Sequence, residues 1–344
     1  MGRPILTVSA ELSRQKMRQY RGSQSPAHGK CIMSRDCACS LNLDAWLQSL
    51  LDVNACCRER RTITYRGQMP DFTARTLLET PSVTVRDVYC SGTCRHKSGE
   101  ECTSKTHLVF PYRGTYLRHV GETQAVAESN QVLLFNAGQG YQVSHPVGGG
   151  DASLVLALDE ALLRELAPST LTWDKGAFTF RQQQLGIDPR AQALVALLRH
   201  SLRENVAERL EAESLSLTLA QRSLGSNTAH KAGANAGRQR LADRTKLILA
   251  SDLSRRWALA DIAAEVGVSP VYLTQVFQQV EGVPLYRYQL RLRLARSLDL
   301  LGQYEDLSQL SLELGFSSHS HFSASFLKTY GQTPTEFRQA ALRR

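Results

Sequence analysis

No stretch of the 344 residues approaches the ~18 consecutive apolar positions that a membrane span needs, and the N-terminus lacks a charged segment running into an apolar one. A helical membrane protein and a secretory leader are therefore not expected, and the cytoplasm is the expected location. Cysteine is absent after Cys102; five of the eight cysteines precede residue 58 and the others are Cys90, Cys94 and Cys102. That distribution does not describe a small, evenly stapled disulfide scaffold. A phosphate-binding glycine loop and a nucleophile–base–acid set are also missing, so the sequence gives catalysis no foothold.

Positive charge is scarce where a nucleic-acid binder would be expected to carry it. The net charge is +9, yet residues 1–68 hold eleven Lys/Arg against five Asp/Glu, whereas the segment from Arg240 onward holds thirteen against ten. Any case for DNA rests on pattern rather than on gross charge.

Residues 1–68 show no sustained periodicity beyond a short amphipathic stretch from Leu41 to Val53. This reads as a poorly ordered extension, with Met69 as an alternative start. From Ser82 the pattern becomes β: Val83, Val85 and Val88 suggest a strand. Thr106–Tyr112 and Thr115–Val120 flank Arg113-Gly114 like a hairpin, and Val132–Phe135 and Tyr141–Val143 flank residues 137–140 in the same way. Gly148-Gly149-Gly150 then leads into Leu154–Leu158. Short strands with glycine turns favour a small barrel or sandwich. Asp188-Pro189 starts a long helix with Leu194, Leu198, Leu202, Val206 and Leu210 in one row, which serves either as a dimer seam or as a face packed on the same chain's strands. Residues 222–239 are rich in Gly, Ala, Ser and Asn and read as a flexible linker.

What is present after the linker is a pattern written twice, 49 residues apart: Ser269, Leu273, Phe277, Gly282 and then Ser318, Phe322, Phe326, Gly331. Each serine is a good helix N-cap, and its two apolar followers at i+4 and i+8 share one helical face. Pro270 takes the favoured first helical position. Gly267 and Gly315 lie upstream, where a preceding helix would end in a left-handed residue. Helix, tight glycine turn and capped second helix make a helix-turn-helix, and two of them suit successive stretches of DNA major groove. In the first unit Leu273, Val276, Phe277 and Val280 form the buried stripe, leaving Val271, Thr274, Gln275 and Gln279 as groove-facing candidates beside Pro270. Glutamine can pair with adenine, and Val and Thr methyls can touch the thymine methyl. In the second unit the candidates are Ser318, His319, Ser320, Ser323 and Ala324, with Lys328 at the far end. A helix from Leu285 to Leu301, about 25 Å at ~1.5 Å per residue, would separate the two, with Arg291 and Arg296 as candidate phosphate contacts. Thr333-Pro334-Thr335-Glu336 forms a capping box for a last helix.

Gly315-Phe316-Ser317-Ser318, Ser320-His321-Phe322, Phe326, Lys328, Gly331, Thr333-Pro334, Glu336 and Arg338 closely resemble the AraC/XylS-type transcription regulators. Ala263, Gly267, Ser269-Pro270, Tyr272-Leu273 and Phe277 match the same family's first unit, so the resemblance covers about 105 residues. It implies a multidomain α+β protein: a cupin-like β-barrel with accessory helices, expected to sense a small-molecule effector or a redox or metal signal, followed by an all-α double helix-turn-helix DNA-binding domain. It also implies a homodimer bound to double-stranded DNA that acts on RNA polymerase, more often as an activator. The expected divisions are an extension over 1–68, an effector and dimerisation domain over 69–221, a linker over 222–239 and the DNA-binding domain over 240–344. Ala324 stands where relatives often carry a long polar residue and Ser311 where they carry a small apolar one, so the second unit is expected to read bases weakly.

Cys90, Cys94, His96 and Cys102 form the other notable constellation. Thiolates and an imidazole at these separations could bind zinc or another soft metal, or Cys90 and Cys94 could act as a redox pair. The zinc-bound, alkyl-accepting cysteine of one fused relative needs a close Cys-x-x-Cys pair, which is absent. His107, His119 and His145 are the only material for a cupin metal triad, and the compact His-x-His followed by Glu is missing. A cupin-type metalloenzyme with a DNA-binding tail, and a pure interaction adaptor, remain the alternative readings.

Overall fold

A computed structural model describes residues 72–173, 176–225 and 235–342, all inside one compact unit, Leu43–Arg344. The expectations for residues 1–68 and for the middle of the linker fall outside the described residues. The strands are β1 (Phe72–Glu79), β2 (Val83–Cys90), β3 (His107–Arg113), β4 (Tyr116–Val120), β5 (Thr123–Ala127), β6 (Gln131–Phe135), β7 (Gln142–Ser144), β8 (Asp151–Leu158), β9 (Thr172–Trp173), β10 (Thr179–Phe180) and β11 (Gln184–Gly186). Six of them form one antiparallel sheet in the order β1-β2-β8-β3-β6-β11, and β5-β4-β7 form a second. Among the described strands the two sheets stay separate, so the expected barrel is corrected to a β-rich region that does not close on itself.

Both anticipated hairpins are corrected by this topology. β3 pairs with β6 and β8 while β4 pairs with β5 and β7, so Arg113-Gly114 carries the chain from one sheet to the other; the 136–141 segment does the same between β6 and β7. Gly114 makes this corner possible: its φ is +70°, and a Cβ there would lie 1.9 Å from the Gly150 carbonyl oxygen. Period-2 alternation then feeds two cores. Leu108, Phe110, Leu154 and Leu156 face the helices, whereas Val109, Val155, Leu133 and Phe135 face Tyr116, Ala127 and Tyr141 in the space between the sheets.

Helix α1 (Glu160–Leu166) is capped by Asp159, and α2 (Pro189–Arg203) by Asp188, whose Oδ1 accepts from the Ala191 N–H at 2.9 Å. The anticipated long leucine row is broken. Asn205 adopts φ 54°, the chain turns, and α3 (Arg209–Leu224) begins a new helix. Leu198 and Leu202 sink into the sheet core, leaving Val206 and Leu210 exposed beyond the break, so the row is not a continuous seam. The linker is also shorter than its composition suggests. Leu224 is buried in that same core, Arg222 donates to Asp188, and α4 starts at Ala236.

The remaining helices are α4 (Ala236–Ser251), α5 (Leu259–Val266), α6 (Pro270–Glu281), α7 (Leu285–Leu300), α8 (Leu307–Glu313), α9 (His319–Tyr330) and α10 (Pro334–Leu342). They gather around two cores, one built on Leu273 and Phe277 with Tyr288 and Leu292, the other on Phe316, Phe322, Phe326 and Phe337 with Leu294 and Leu298. Helix α7 belongs to both.

Two polar seams join α7 and its neighbours to the β-rich region. In the first, Tyr288 Oη donates to Glu128 Oε1 at 2.5 Å, and Lys246 Nζ lies 2.6 Å from Glu281 Oε1. Burial pushes the Glu128 carboxyl up. Burial also works against the Lys246 ammonium, but Glu281, Asp243 and Glu128 outweigh it and hold its pKa above the usual lysine value. In the second seam, Asp299 accepts from Arg199 Nη2 at 2.6 Å and from Arg113 Nε at 3.0 Å, and Arg296 Nη1 closes on it as well. Burial would raise Asp299, yet the three guanidiniums hold its carboxyl below the ordinary range. Beside this cluster, Ala193, Ala196 and Leu197 of α2 pack on the second helical core.

Candidate nucleic-acid interface

Each repeated unit is built by the same local chemistry. Ser269 Oγ accepts from the Tyr272 N–H and Ser318 Oγ from the His321 N–H, both at 3.2 Å, so each serine satisfies a donor that its helix would otherwise leave unpaired. Gly282 and Gly331 end the two helices in the left-handed region, returning N–H groups to Gln278 and Leu327. The turn glycines do different work. Gly267 has only its φ of +75° to account for it, with open space where a Cβ would point. Gly315 adds close approach, since a Cβ there would meet the Ser254 carbonyl oxygen at 2.3 Å.

On α6, Leu273, Val276 and Phe277 are buried, while Pro270, Val271, Gln275 and Gln279 are exposed and Thr274 is half-buried with its hydroxyl turned back to the Pro270 carbonyl. On α9, Phe322 and Phe326 are buried and Ser318, His319, Ser320, Ala324 and Lys328 are exposed. His319 Nε2 and Ser323 Oγ lie 3.2 Å apart, so their polar atoms are already paired along the helix. His321 instead contacts Ser317 Oγ and packs its edge on Phe316.

The arginines of α7 divide by task. Arg291 is half-buried, Arg296 is engaged with Asp299, and Arg293 donates to the carbonyls of Leu253, Arg255 and Gly315 at 2.7, 2.8 and 3.1 Å. One side chain thereby ties the entry loop of the first unit to the turn of the second. Pattern reading missed this, because an arginine on a helix carries no sign of which carbonyls it will reach. It also missed Tyr272 and Gln278, both exposed on α6, and Arg238, which donates to Gln279 from α4.

The cysteine constellation is rearranged. Cys90 is buried at the end of β2 and Cys94 is half-buried, but His96 and Cys102 are exposed. Cys94 Sγ lies 3.1 Å from His145 Nδ1, and His145 Nε2 lies 2.6 Å from Asp151 Oδ2. The three histidines weighed and set aside as a cupin triad each have separate partners: His107 the Lys105 carbonyl, His119 the Ser144 hydroxyl, His145 Asp151. Between the sheets lies a cavity of about 90 Å³, lined by Phe72, His107, Tyr116, Phe135 and Tyr141 among others. Burial drives His107 down to about 4, leaving it neutral at physiological pH, and Arg118 sits fully buried with its guanidinium 3.7 Å over the Phe135 ring.

The C-terminal segment is similar in sequence to known proteins. A helix-turn-helix domain family model matches residues 262–340. The chain is 24% identical over 245 residues to the probable transcriptional regulator LumQ of Photobacterium leiognathi, covering 68% of this chain and 92% of that one. It is 34% identical over 96 residues to the transcriptional activator AggR of Escherichia coli, covering 28% of this chain and only 36% of that protein's length. A solved transcriptional regulator of Chromobacterium violaceum, described by its AraC-type DNA-binding domain, is 34% identical over 32% of this chain and 98% of that one, with a TM-score of 0.30. No described helix is long and apolar enough to cross a membrane. With two serine-capped, glycine-turned units at its C-terminal end and named regulators as its relatives, the chain belongs to the AraC-type transcription regulators, which are DNA-binding proteins rather than enzymes.

Proposed function

We propose that this regulator binds a specific duplex sequence with both helix-turn-helix units on successive major-groove faces, and that it activates transcription by recruiting RNA polymerase. The observation that carries this reading is the pair of capped helices, α6 and α9, whose outer faces are exposed while their apolar stripes are buried. Val271, Thr274, Gln275 and Gln279, with Pro270 at the helix start, are the proposed base readers of the first unit. Ser318, His319, Ser320 and Ser323 supply closer-range, weaker contacts in the second. Lys328 and Arg291 are the proposed phosphate contacts; Arg296 is left out because Asp299 holds it. Residues 240–344 then act as the DNA-binding domain, and residues 69–221 as the effector and dimerisation domain, its effector a small molecule seated between the sheets. Two protomers on one site gain from effective concentration.

Selection of duplexes from a random pool by the full chain, followed by footprinting, tests this. The expected result is two protected stretches about one helical turn (~34 Å) apart, with affinity that falls steeply with salt. Equal binding to random duplex at moderate salt would overturn it.

A further inference from the structure

The donors beside the cavity serve neither DNA contact nor the docking of the helical units. Cys90 and Asp151 are register partners across β2 and β8, so both side chains rise from the same face of the sheet. His145 enters from the connection before β8, its backbone N–H bound to the Cys94 carbonyl at 2.9 Å. One donor atom from each of Cys90, His145 and Asp151 lies within 4.8 Å of the other two, and the three residues are 5%, 2% and 6% exposed.

The backbone holds this arrangement tightly. Gly92, Gly114 and Gly150 all have positive φ and abut one another: a Cβ on Gly150 would lie 2.5 Å from the Cys90 carbonyl oxygen, and one on Gly92 would lie 2.8 Å from the Gly150 Cα. The glycines allow the 91–94 turn and the 145–150 turn to close on each other, which carries His145 to Asp151 and Cys94 to His145.

We propose that Cys90, His145 and Asp151 bind a divalent metal ion of the zinc class, with Cys94 orienting the histidine. The ligands are the Cys90 thiolate, the Asp151 carboxylate and His145 Nε2. The Cys94 sulfur accepts the Nδ1–H, the role an outer partner plays for a metal-bound imidazole. Thiolate, imidazole and carboxylate together suit zinc and exclude the all-oxygen preference of magnesium and calcium. Charge balances too: two anionic ligands and one neutral ligand against a dication leave a neutral buried site, with the displaced protons going to solvent. A four-coordinate zinc with bonds of about 2.0–2.3 Å spaces its donors roughly 3.3–3.8 Å apart, so the His145–Asp151 contact opens by about an ångström on binding. Since Cys90 and Asp151 line the cavity, the fourth position faces the space where an effector donor atom could complete the sphere.

The test is titration of the reduced, metal-stripped full chain with cobalt(II), followed by zinc(II). One equivalent of cobalt should give a thiolate-to-cobalt charge-transfer band with the strong visible bands of four-coordinate cobalt, and zinc should displace it. Cys90→Ser should abolish the charge-transfer band. Cys94→Ser should keep the band but bind roughly 10–100-fold more weakly, as loss of an outer partner does. His96→Ala and Cys102→Ser should bind like the parent. Near-UV circular dichroism of each metal-free variant checks that it is folded. A folded parent chain that gives no charge-transfer band overturns the proposal, and so does a band that survives Cys90→Ser but vanishes in Cys102→Ser.

Discussion

The two helix-turn-helix units share one plan, and they are held against the rest of the molecule by different physics. The first meets the β-rich region through Glu128, Tyr288, Lys246 and Glu281, where buried acids outnumber the one buried amine. The second meets it through an apolar patch of α2 and through Asp299, where guanidiniums outnumber the one acid. Their outer faces differ as well: long amides and exposed aliphatic groups on α6, short hydroxyls and a histidine on α9. A duplicated fold has thus been given unequal attachments and unequal outer surfaces, while Arg293 and Gly315 keep the two copies in direct contact.

The severest perturbation is truncation of a core ring. Phe277→Ala and Phe322→Ala should each cost about 3–5 kcal/mol by chemical denaturation. If α7 and Arg293 couple the copies, amide exchange should accelerate in both units for either variant; acceleration confined to the mutated unit would show them to be independent. Next is the charge asymmetry. Asp299→Ala leaves Arg113, Arg199 and Arg296 without their shared acceptor and should destabilise by about 3–5 kcal/mol, whereas Glu128→Gln relieves a surplus of buried acid and should be nearly neutral at pH 7. Equal losses would mean that the two seams are alike after all.

On DNA, Gln275→Ala should cost about 1–3 kcal/mol of specific binding and relax one base position, and Ser320→Ala should cost less. The reverse ranking in a competition assay would transfer specificity to the second unit. The smallest effect is in pH. Asp299 is held below its ordinary 3.8, so its contribution is present above that value and lost as pH falls through the folded pKa. Glu128 is raised above 4.5, so its contribution is full below that value and lost as pH rises through the folded pKa. Each amide stands for the protonated acid, so thermal midpoints of Asp299→Asn and Glu128→Gln should both approach the parent toward pH 3 and depart from it in opposite directions toward pH 8, Asp299→Asn below it and Glu128→Gln slightly above; a shared direction would refute the assignment.

The helical half announced itself because its determinants are local. Ser269 and Ser318 cap, Gly267 and Gly315 turn, and Phe277, Phe322 and Phe326 repeat at helical spacing, all within short windows. The strands were visible one by one, but their partners were not: nothing near Arg113-Gly114 says that β3 and β4 join different sheets, because that depends on Gly150, far along the chain, coming within van der Waals reach. The neighbourhood of the thiols is non-local for the same reason: Cys90, Cys94, His96 and Cys102 stand together by spacing, whereas the imidazole and carboxylate that the fold sets beside Cys90 come from strand register and a glycine-lined turn. Leu224 and Arg222 were lost in a linker-like composition that long-range burial and an aspartate overrode.

The company kept by Asp299 bears on whether parts of such regulators can be exchanged. Its three arginines come from β3, from α2 and from its own helix. A hybrid that joined this helical region to a foreign β-rich half would keep Arg296 alone of the three, and Tyr288 would lose Glu128 as its acceptor. Hybrid design would therefore have to transplant the facing residues Arg113, Arg199 and Glu128 along with the helices they secure.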